Sequence, residues 1–542
     1  MSVPRPLQIL EILRNILSHC EDQTNLQNVL VCKSWSEIAL DVLWYEVTDL
    51  RRFVALFGRE TDDRNSTWEY VETPSFTSWQ RFEKVYQNRI RKLAPRSPDT
   101  KYLPALGVIS KIRTGSPLLP KLHTLEWFGL SGAGLAEPSV MFMHESVRAF
   151  RVDELSHTVF TSSFTSWCEA VSTRMPFLDT LTFCVSPSQK CQKLLLALAQ
   201  RLPNLKNLHI PCFRDPSVML LGLQDKIAPK LTTFEICSLD NHPPTSVLKG
   251  PPQYPAFNDL QKLTAYCTYS FATQLSRRIS SKSMRDIDVI SMDPDLETSE
   301  NVRGLISQIA SSFHTLKSLA LTFTRLKSCV LDHMPLYPSV DVLVQLQDLY
   351  PLLNNCKNIT CLELHSPYPP SLDDADIETI CRSWPHLETF RLCHQPGRLL
   401  PRREKRLTLK ALSHFSFHCP DIRTLGLYVD ATRRYIPDFT SVELERFQNL
   451  KNLEFGPSPI DNPARVAQCL AQLCDFELPT ITFGSDWENP DKVSVDINTK
   501  WKDKWEAVQG ALEVMIEMQE KIDKLEKEVE SLRSETGAML WA

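Results

Sequence analysis

The chain has 542 residues, 42% hydrophobic and 23% charged, so it has apolar material for a large packed core and lacks the composition of a disordered polypeptide. With 60 Lys and Arg against 65 Asp and Glu, the formal net charge is -5, which excludes a global positive field that would attract nucleic acid. Polar residues Gln8, Glu11, Arg14 and Asn15 interrupt the N-terminal apolar stretch, and no later segment reaches the ~18 uninterrupted apolar residues of a membrane span. The expectation is a cytoplasmic or nuclear protein with no membrane contact, its 16 cysteines reduced and packed like small apolar side chains.

Residues 1–58 read as a small helical module. Leu10, Leu13, Ile16 and Leu17 fall at helical spacing, a polar break runs from Glu21 to Asn25, and a second apolar stretch follows through Leu26, Val29 and Leu30. So short a unit gains stability by burying leftover apolar surface against a partner. Glu11-Ile12-Leu13 with Ile16, then Leu30-Val31-Cys32-Lys33 with Trp35, then Leu43-Trp44, stand in an order and spacing that resembles the F-box. The resemblance implies docking onto a Skp adaptor, which bridges to a cullin scaffold, and makes Ile12, Leu13, Ile16, Val31, Cys32 and Trp35 the adaptor-contact candidates. Each of the six could equally belong to the module's own core. The sequence departs from the family at its usual Leu-Pro start, where Gln8-Ile9 stands.

Residues 59–117 are expected to be a linker and entry segment, and residues 118–489 a solenoid. There, a pattern of three apolar residues, the second three positions after the first and the third two further on, recurs many times. Clear copies are Leu122, Leu125, Trp127; Leu178, Leu181, Phe183; Leu205, Leu208, Ile210; Leu231, Phe234, Ile236; and Leu316, Leu319, Leu321. It returns at Ile359, Leu362, Leu364; Leu387, Phe390, Leu392; Ile422, Leu425, Leu427; and Leu450, Leu453, Phe455, with weaker copies from Val147, Leu260, Ile287 and Leu478. Most copies lie roughly 25 to 31 residues apart, near the upper end of the leucine-rich-repeat period. Each copy reads as a short strand burying one side, with helical stretches between, so neighbouring units must stack to bury their apolar faces. The fold class is therefore α/β: a helical module, a solenoid of parallel strands and helices, and a C-terminal helix. The sequence from Leu118 to Phe483 resembles the irregular leucine-rich repeats found behind F-boxes, with inserted loops expected at residues 238–256, 327–339 and 394–406.

At the middle variable strand position stand Glu126, Arg151, Glu235, Glu363, Arg391 and Glu454, the candidate target-binding set. Acids outnumber bases there, which favours a basic target segment, although a generic solvated face would look the same. Catalytic signatures were sought and not found. Cys393, His394, His414, His418 and Cys419 sit at repeat boundaries where Cys and His fill gaps, so no metal is expected. Gly129, Gly132 and Gly134 lack the spacing of a nucleotide-binding loop. Asp373, Asp374, Asp376 and Glu378 suit a helix start better than acid-base work. No cofactor and no catalytic residue are assigned, and the reading is a non-enzymatic substrate-recognition subunit of a cullin-based ubiquitin ligase that holds an unidentified target. The alternative is an interaction scaffold outside any ligase.

Residues 490–542 form a linker and a helix. Its heptad positions are Val508, Met515, Ile522 and Val529 at a, and Ala511, Met518, Leu525 and Leu532 at d. In a parallel dimer Lys521 would face the partner's Glu526, and Glu528 the partner's Arg533. A homodimer is one expectation. The other is a helix that folds back to cap the solenoid, burying Leu512 and Ile516 as well.

Overall fold

The structure is a computed structural model that describes residues 7, 9–59, 68–95, 100–113, 117–128, 136–153, 162–223, 227–237, 248, 257–291, 297–323, 343–366, 368–396, 405–437, 444–474, 479–484 and 492–539. The Gly129–Gly134 loop, most of the three expected insertions and the side chain of Leu532 lie outside the described residues. The chain forms two compact units, Met1–Asn241 and His242–Ala542.

The first unit begins with α1 (Leu10–Ser18), α2 (Asp22–Asn28) and α3 (Lys33–Leu43). Asn25, fully buried, closes the end of α1 by donating to the carbonyls of Leu17 at 2.9 Å and Cys20 at 3.2 Å. The core of these helices is Leu13, Leu17, Ile38 and Ala39, with Cys20, Val29, Trp35 and Val42 packed against it. Arg89 ties α3 to the following chain through the Glu37 carbonyl at 2.8 Å and ion pairs with Glu37 and Asp41.

Seven strands follow in parallel, each beside the next in sequence: β1 (Glu46–Val47), β2 (Lys92–Leu93), β3 (Thr124–Phe128), β4 (Ala149–Asp153), β5 (Thr180–Cys184), β6 (Asn207–Pro211) and β7 (Thr233–Cys237). The register stacks Leu93, Leu125, Phe150, Leu181, Leu208 and Phe234 in one buried row, the physical basis of the repeating pattern. Hydrogen bonds link the first strand positions, as where Asn207 donates to Thr180 Oγ1 at 2.9 Å. Residues 59–117, expected as a linker and entry to the solenoid, supply β2 and a helix (Leu103–Ile112) and bury Trp68, Trp79, Phe82, Leu106 and Ile109. β1 and β2 escape the repeat pattern because each pairs over only two residues.

The second unit contains β8 (Lys262–Tyr266), β9 (Asp286–Ser291), β10 (Ser318–Phe323), β11 (Cys361–Leu364), β12 (Thr389–Leu392), β13 (Thr424–Leu427), β14 (Asn452–Gly456) and β15 (Thr480–Phe483), again parallel and in sequence order. Leu263, Ile287, Leu319, Leu362, Phe390, Leu425, Leu453 and Ile481 form its buried row. The copy expected to start at Ile287 starts three residues earlier, at Met284: Ile287 and Val289 point into the core while Asp286 and Asp288 alternate outward. Helices such as Ser299–Ser312 and Asp374–Ser383 cover the buried side, and Asp373 with Asp376 closes the latter's start as a reciprocal capping box at 3.0 Å in each direction.

The C-terminal helix, Lys492–Met539, closes the end of this unit. Trp505, Val508, Leu512 and Ile516 are buried, and Trp505 stacks on Phe455 with ring centroids 4.5 Å apart and donates to the Ser458 carbonyl at 2.9 Å. Gln509 accepts from the backbone N–H of Ile481 at 3.1 Å, satisfying a donor on the last strand. A leucine-rich-repeat-like α/β solenoid, with helices before and after it, is the architecture of the chain.

Candidate functional site

Three surfaces hold the residues singled out by sequence. On the N-terminal helices, α1 divides its apolar residues between two faces. Leu13 and Leu17 point into the core, whereas Ile9, Leu10, Ile12 and Ile16 are exposed. Leu26, Leu30 and Val31 are exposed too, Leu30 at 85% and Val31 at 59%. Cys32 is also exposed, its thiol lowered by a hydrogen bond with Ser34 and by the backbone N–H of Trp35. Of the six adaptor-contact candidates, Ile12, Ile16, Val31 and Cys32 thus stand on the surface, Trp35 is half-buried against the core, and Leu13 is core.

The second surface is the open face of the strands. Every acid in the candidate target-binding set already has a partner. Glu126 binds Lys92 at 2.9 Å and Glu235 binds His209 at 2.9 Å, while Arg151 is held by Asp153 at 2.8 Å. Arg391 lies between Glu363 at 2.6 Å and Glu454 at 2.7 Å, with His394 3.1 Å from the same Glu454. The register places Glu363, Arg391, Gly426 and Glu454 side by side on β11 to β14, so Arg391 reaches Glu454 across a strand that carries no side chain there. A Cβ at Gly426 would meet both Arg391 Cγ and His394 Cγ at 3.0 Å. Burial alone would raise the Glu454 carboxyl, but hydrogen bonds from His394 and Arg391 outweigh it and hold the group at about 2. These acids are paired within the face: Arg391 serves two carboxylates, and His209 and His394 add positive charge only when protonated.

The open face of β5 to β7, in the first unit, holds a grouping that sequence reading missed. His209 Nδ1, a carboxylate oxygen of Glu235 and Cys237 Sγ lie within 4.8 Å of one another, and Cys237 donates to Glu235 at 3.3 Å. The available signal was positional: His209 and Glu235 occupy the same register on adjacent strands, but no linear motif links residues one repeat apart. Of the five Cys and His residues at the repeat boundaries, Cys393, His394 and Cys419 are engaged elsewhere. Cys419 donates to the carbonyls of Cys381 and Trp384, His394 faces Glu454, and Cys393 is buried.

The third surface is the far part of the C-terminal helix, where Met518, Ile522, Leu525 and Val529 are exposed and Met515 is half-buried. Val508, assigned to the same heptad seam, instead lies in the cap. Among the described residues no helix is long and apolar enough to cross a membrane.

No protein-family model matches the sequence, and no curated protein matches it. Among solved structures, the chain is similar to yeast Rad7 in its complex with Elc1, with TM-score 0.34 and 13% identity over 65% of this chain and 80% of that one. It is also similar to TLR13 bound to ssRNA13, with TM-score 0.28 and 12% identity over 73% of this chain and 56% of that one. Neither likeness bears on what this chain binds.

Proposed function

We propose that the chain is a non-catalytic receptor subunit: its N-terminal helices dock a Skp-type adaptor, linking it to a cullin scaffold, and its repeats hold a target protein for ubiquitin transfer. The observation that carries this reading is the exposure of Ile12 and Ile16 on α1 and of Leu30 and Val31 in the turn before α3, beside a core that is complete without them. Exposed apolar residues around a small core mark an interaction surface, and the F-box resemblance of these same residues supplies the partner. The repeats' contribution is proximity, bringing a bound target to an enzyme that supplies the chemistry.

The test is co-purification of the full chain with the Skp adaptor and cullin, for the wild type and for Ile16→Asp with Val31→Asp. Both side chains are exposed in the free chain, so the variant keeps its thermal stability. In a dry interface each new carboxylate costs several kcal/mol, and adaptor recovery is lost. Trp35 is unsuitable for this purpose, because its contacts with the core would confound folding with docking. Undiminished adaptor recovery by the double variant refutes the docking site, and repeats that capture partners without adaptor or cullin favour the scaffold.

A further inference from the structure

The grouping of His209, Glu235 and Cys237 has the chemistry of a metal site, with one imidazole, one carboxylate and one thiol on neighbouring parallel strands. The Cys184 thiol stands near that of Cys237 and interacts with it, bringing a second sulfur to the edge of the group. All four side chains leave the same side of the sheet: residues 182 and 184 of β5, 207 to 211 of β6, and 233 to 237 of β7 alternate in step, with Thr182, His209 and Glu235 in one row and Cys237 one row further along. The opposite side of these strands is occupied by Leu181, Leu208 and Phe234 and the rest of the apolar core, so the four side chains stand on the side away from it.

We infer that Cys184, His209, Glu235 and Cys237 form a binding site for one zinc-type divalent cation on the open face of β5 to β7. Zinc takes four ligands in a tetrahedron with bonds of about 2.0–2.3 Å to N, O and S, which sets ligand-to-ligand separations of roughly 3.3–3.8 Å. The Cys237 Sγ to Glu235 separation of 3.3 Å already falls at this spacing, and the His209 to Glu235 contact of 2.9 Å needs to open by a few tenths of an ångström. The mixed sulfur, nitrogen and oxygen set selects a borderline-soft ion over magnesium or calcium, which take oxygen ligands. On binding, the two thiols release their protons to solvent and a sulfur–metal bond replaces the Cys237–Glu235 hydrogen bond. The ion would cross-link three consecutive repeats on the surface where a solenoid meets its target.

The experiment uses the purified full chain, stripped with chelator and titrated with Co²⁺ and with Zn²⁺. One equivalent of Co²⁺ is expected to bind with the intense visible bands of a tetrahedral site and a thiolate-to-cobalt charge-transfer band, and Zn²⁺ is expected to bleach both. Zn²⁺ should also protect Cys184 and Cys237 from alkylation under native conditions and slow hydrogen exchange in β5 to β7. His209→Ala and the double variant Cys184→Ser with Cys237→Ser should each weaken binding by more than about 100-fold, because even outer-shell partners are worth about 10–100-fold. Cys469→Ser, a buried thiol on the helix Pro463–Leu473, leaves the titration unchanged. A wild-type cobalt spectrum without the charge-transfer band overturns the inference whatever the variants do, as does stoichiometric binding that survives the double serine variant.

Discussion

Trp505→Ala tests whether the C-terminal helix is part of the solenoid's core. Trp505 is 1% exposed, stacks on Phe455 at an interplanar angle of 18°, and donates its indole N–H to the Ser458 carbonyl at 2.9 Å. Truncating a buried Trp to Ala costs about 3–5 kcal/mol through lost transfer energy and the cavity left behind. The stacked ring, worth about 1 kcal/mol beyond its area, and the orphaned carbonyl, at about 1–3 kcal/mol, place this site at the upper end. In a repeat protein each unit contacts only its neighbours, so the loss should be local. Hydrogen exchange followed by mass spectrometry is the discriminating assay. Amides of β14, β15 and the helix Pro463–Leu473 should exchange faster in the variant, while β8 to β10 keep wild-type protection. Unchanged protection in β14 and β15 would refute the cap, and uniform acceleration across the unit would refute the local coupling.

Gly426→Ala should destabilise the second unit by about 1–3 kcal/mol in denaturant unfolding, because its methyl meets Arg391 and His394 at 3.0 Å; a neutral change would mean that Arg391 does not need the gap. Glu454, at about 2 in the folded chain against an ordinary 4.5, contributes stability that is complete above pH 4.5 and lost as pH falls toward 2. Glu454→Gln should flatten that part of the stability profile, and an unchanged acid limb would count against the Arg391–His394 cradle. Ile522→Glu with Leu525→Glu is expected to shift the full chain toward monomer in sedimentation while leaving its thermal midpoint unchanged, since both side chains are exposed. Identical sedimentation of wild type and variant at high micromolar concentration would exclude the helix as a self-association surface.

Most of the fold was legible because burial in a stacked sheet imposes a period on the sequence: Leu125, Leu181, Leu208, Leu319, Leu362 and Leu453 each fill the same place in their strands. What the period could not reveal was side-chain pairing across strands. Glu363, Arg391 and Glu454 come from three different repeats, yet the missing side chain at Gly426 lets one guanidinium bind both carboxylates. The apolar residues of α1 were read correctly as helical, but one sequence cannot say which of them a three-helix core needs. Leu13 was consumed by that core, and Ile12, one residue away, was turned outward. His209 and Glu235 were invisible as a pair for the opposite reason, since proximity came from register and the chain between them is a whole repeat.

The C-terminal helix shows how one apolar pattern can serve two surfaces. In a straight helix at about 100° per residue, Trp505, Val508, Leu512 and Ile516 cluster on one side, whereas Met518, Ile522, Leu525 and Val529 cluster about a third of a turn away. A strict seven-residue repeat drifts by about 20° per heptad on such a helix. The a positions Val508, Met515, Ile522 and Val529 therefore start at the edge of the inner face and rotate steadily outward. Their exposure follows this drift, with Val508 buried, Met515 half-buried, and Ile522 and Val529 exposed. The heptad reading merged the end of the capping stripe with the start of the free one. With Val508 committed to the cap, the free seam among described side chains spans only Met518 to Val529, about two heptads. Isolated helices that short are marginal in water, so any pairing through this seam depends on the docked first half to hold the helix in place. The cap and the free stripe are thus coupled: loosening Trp505 should weaken self-association, whereas substitutions at Ile522 and Leu525 leave the cap intact.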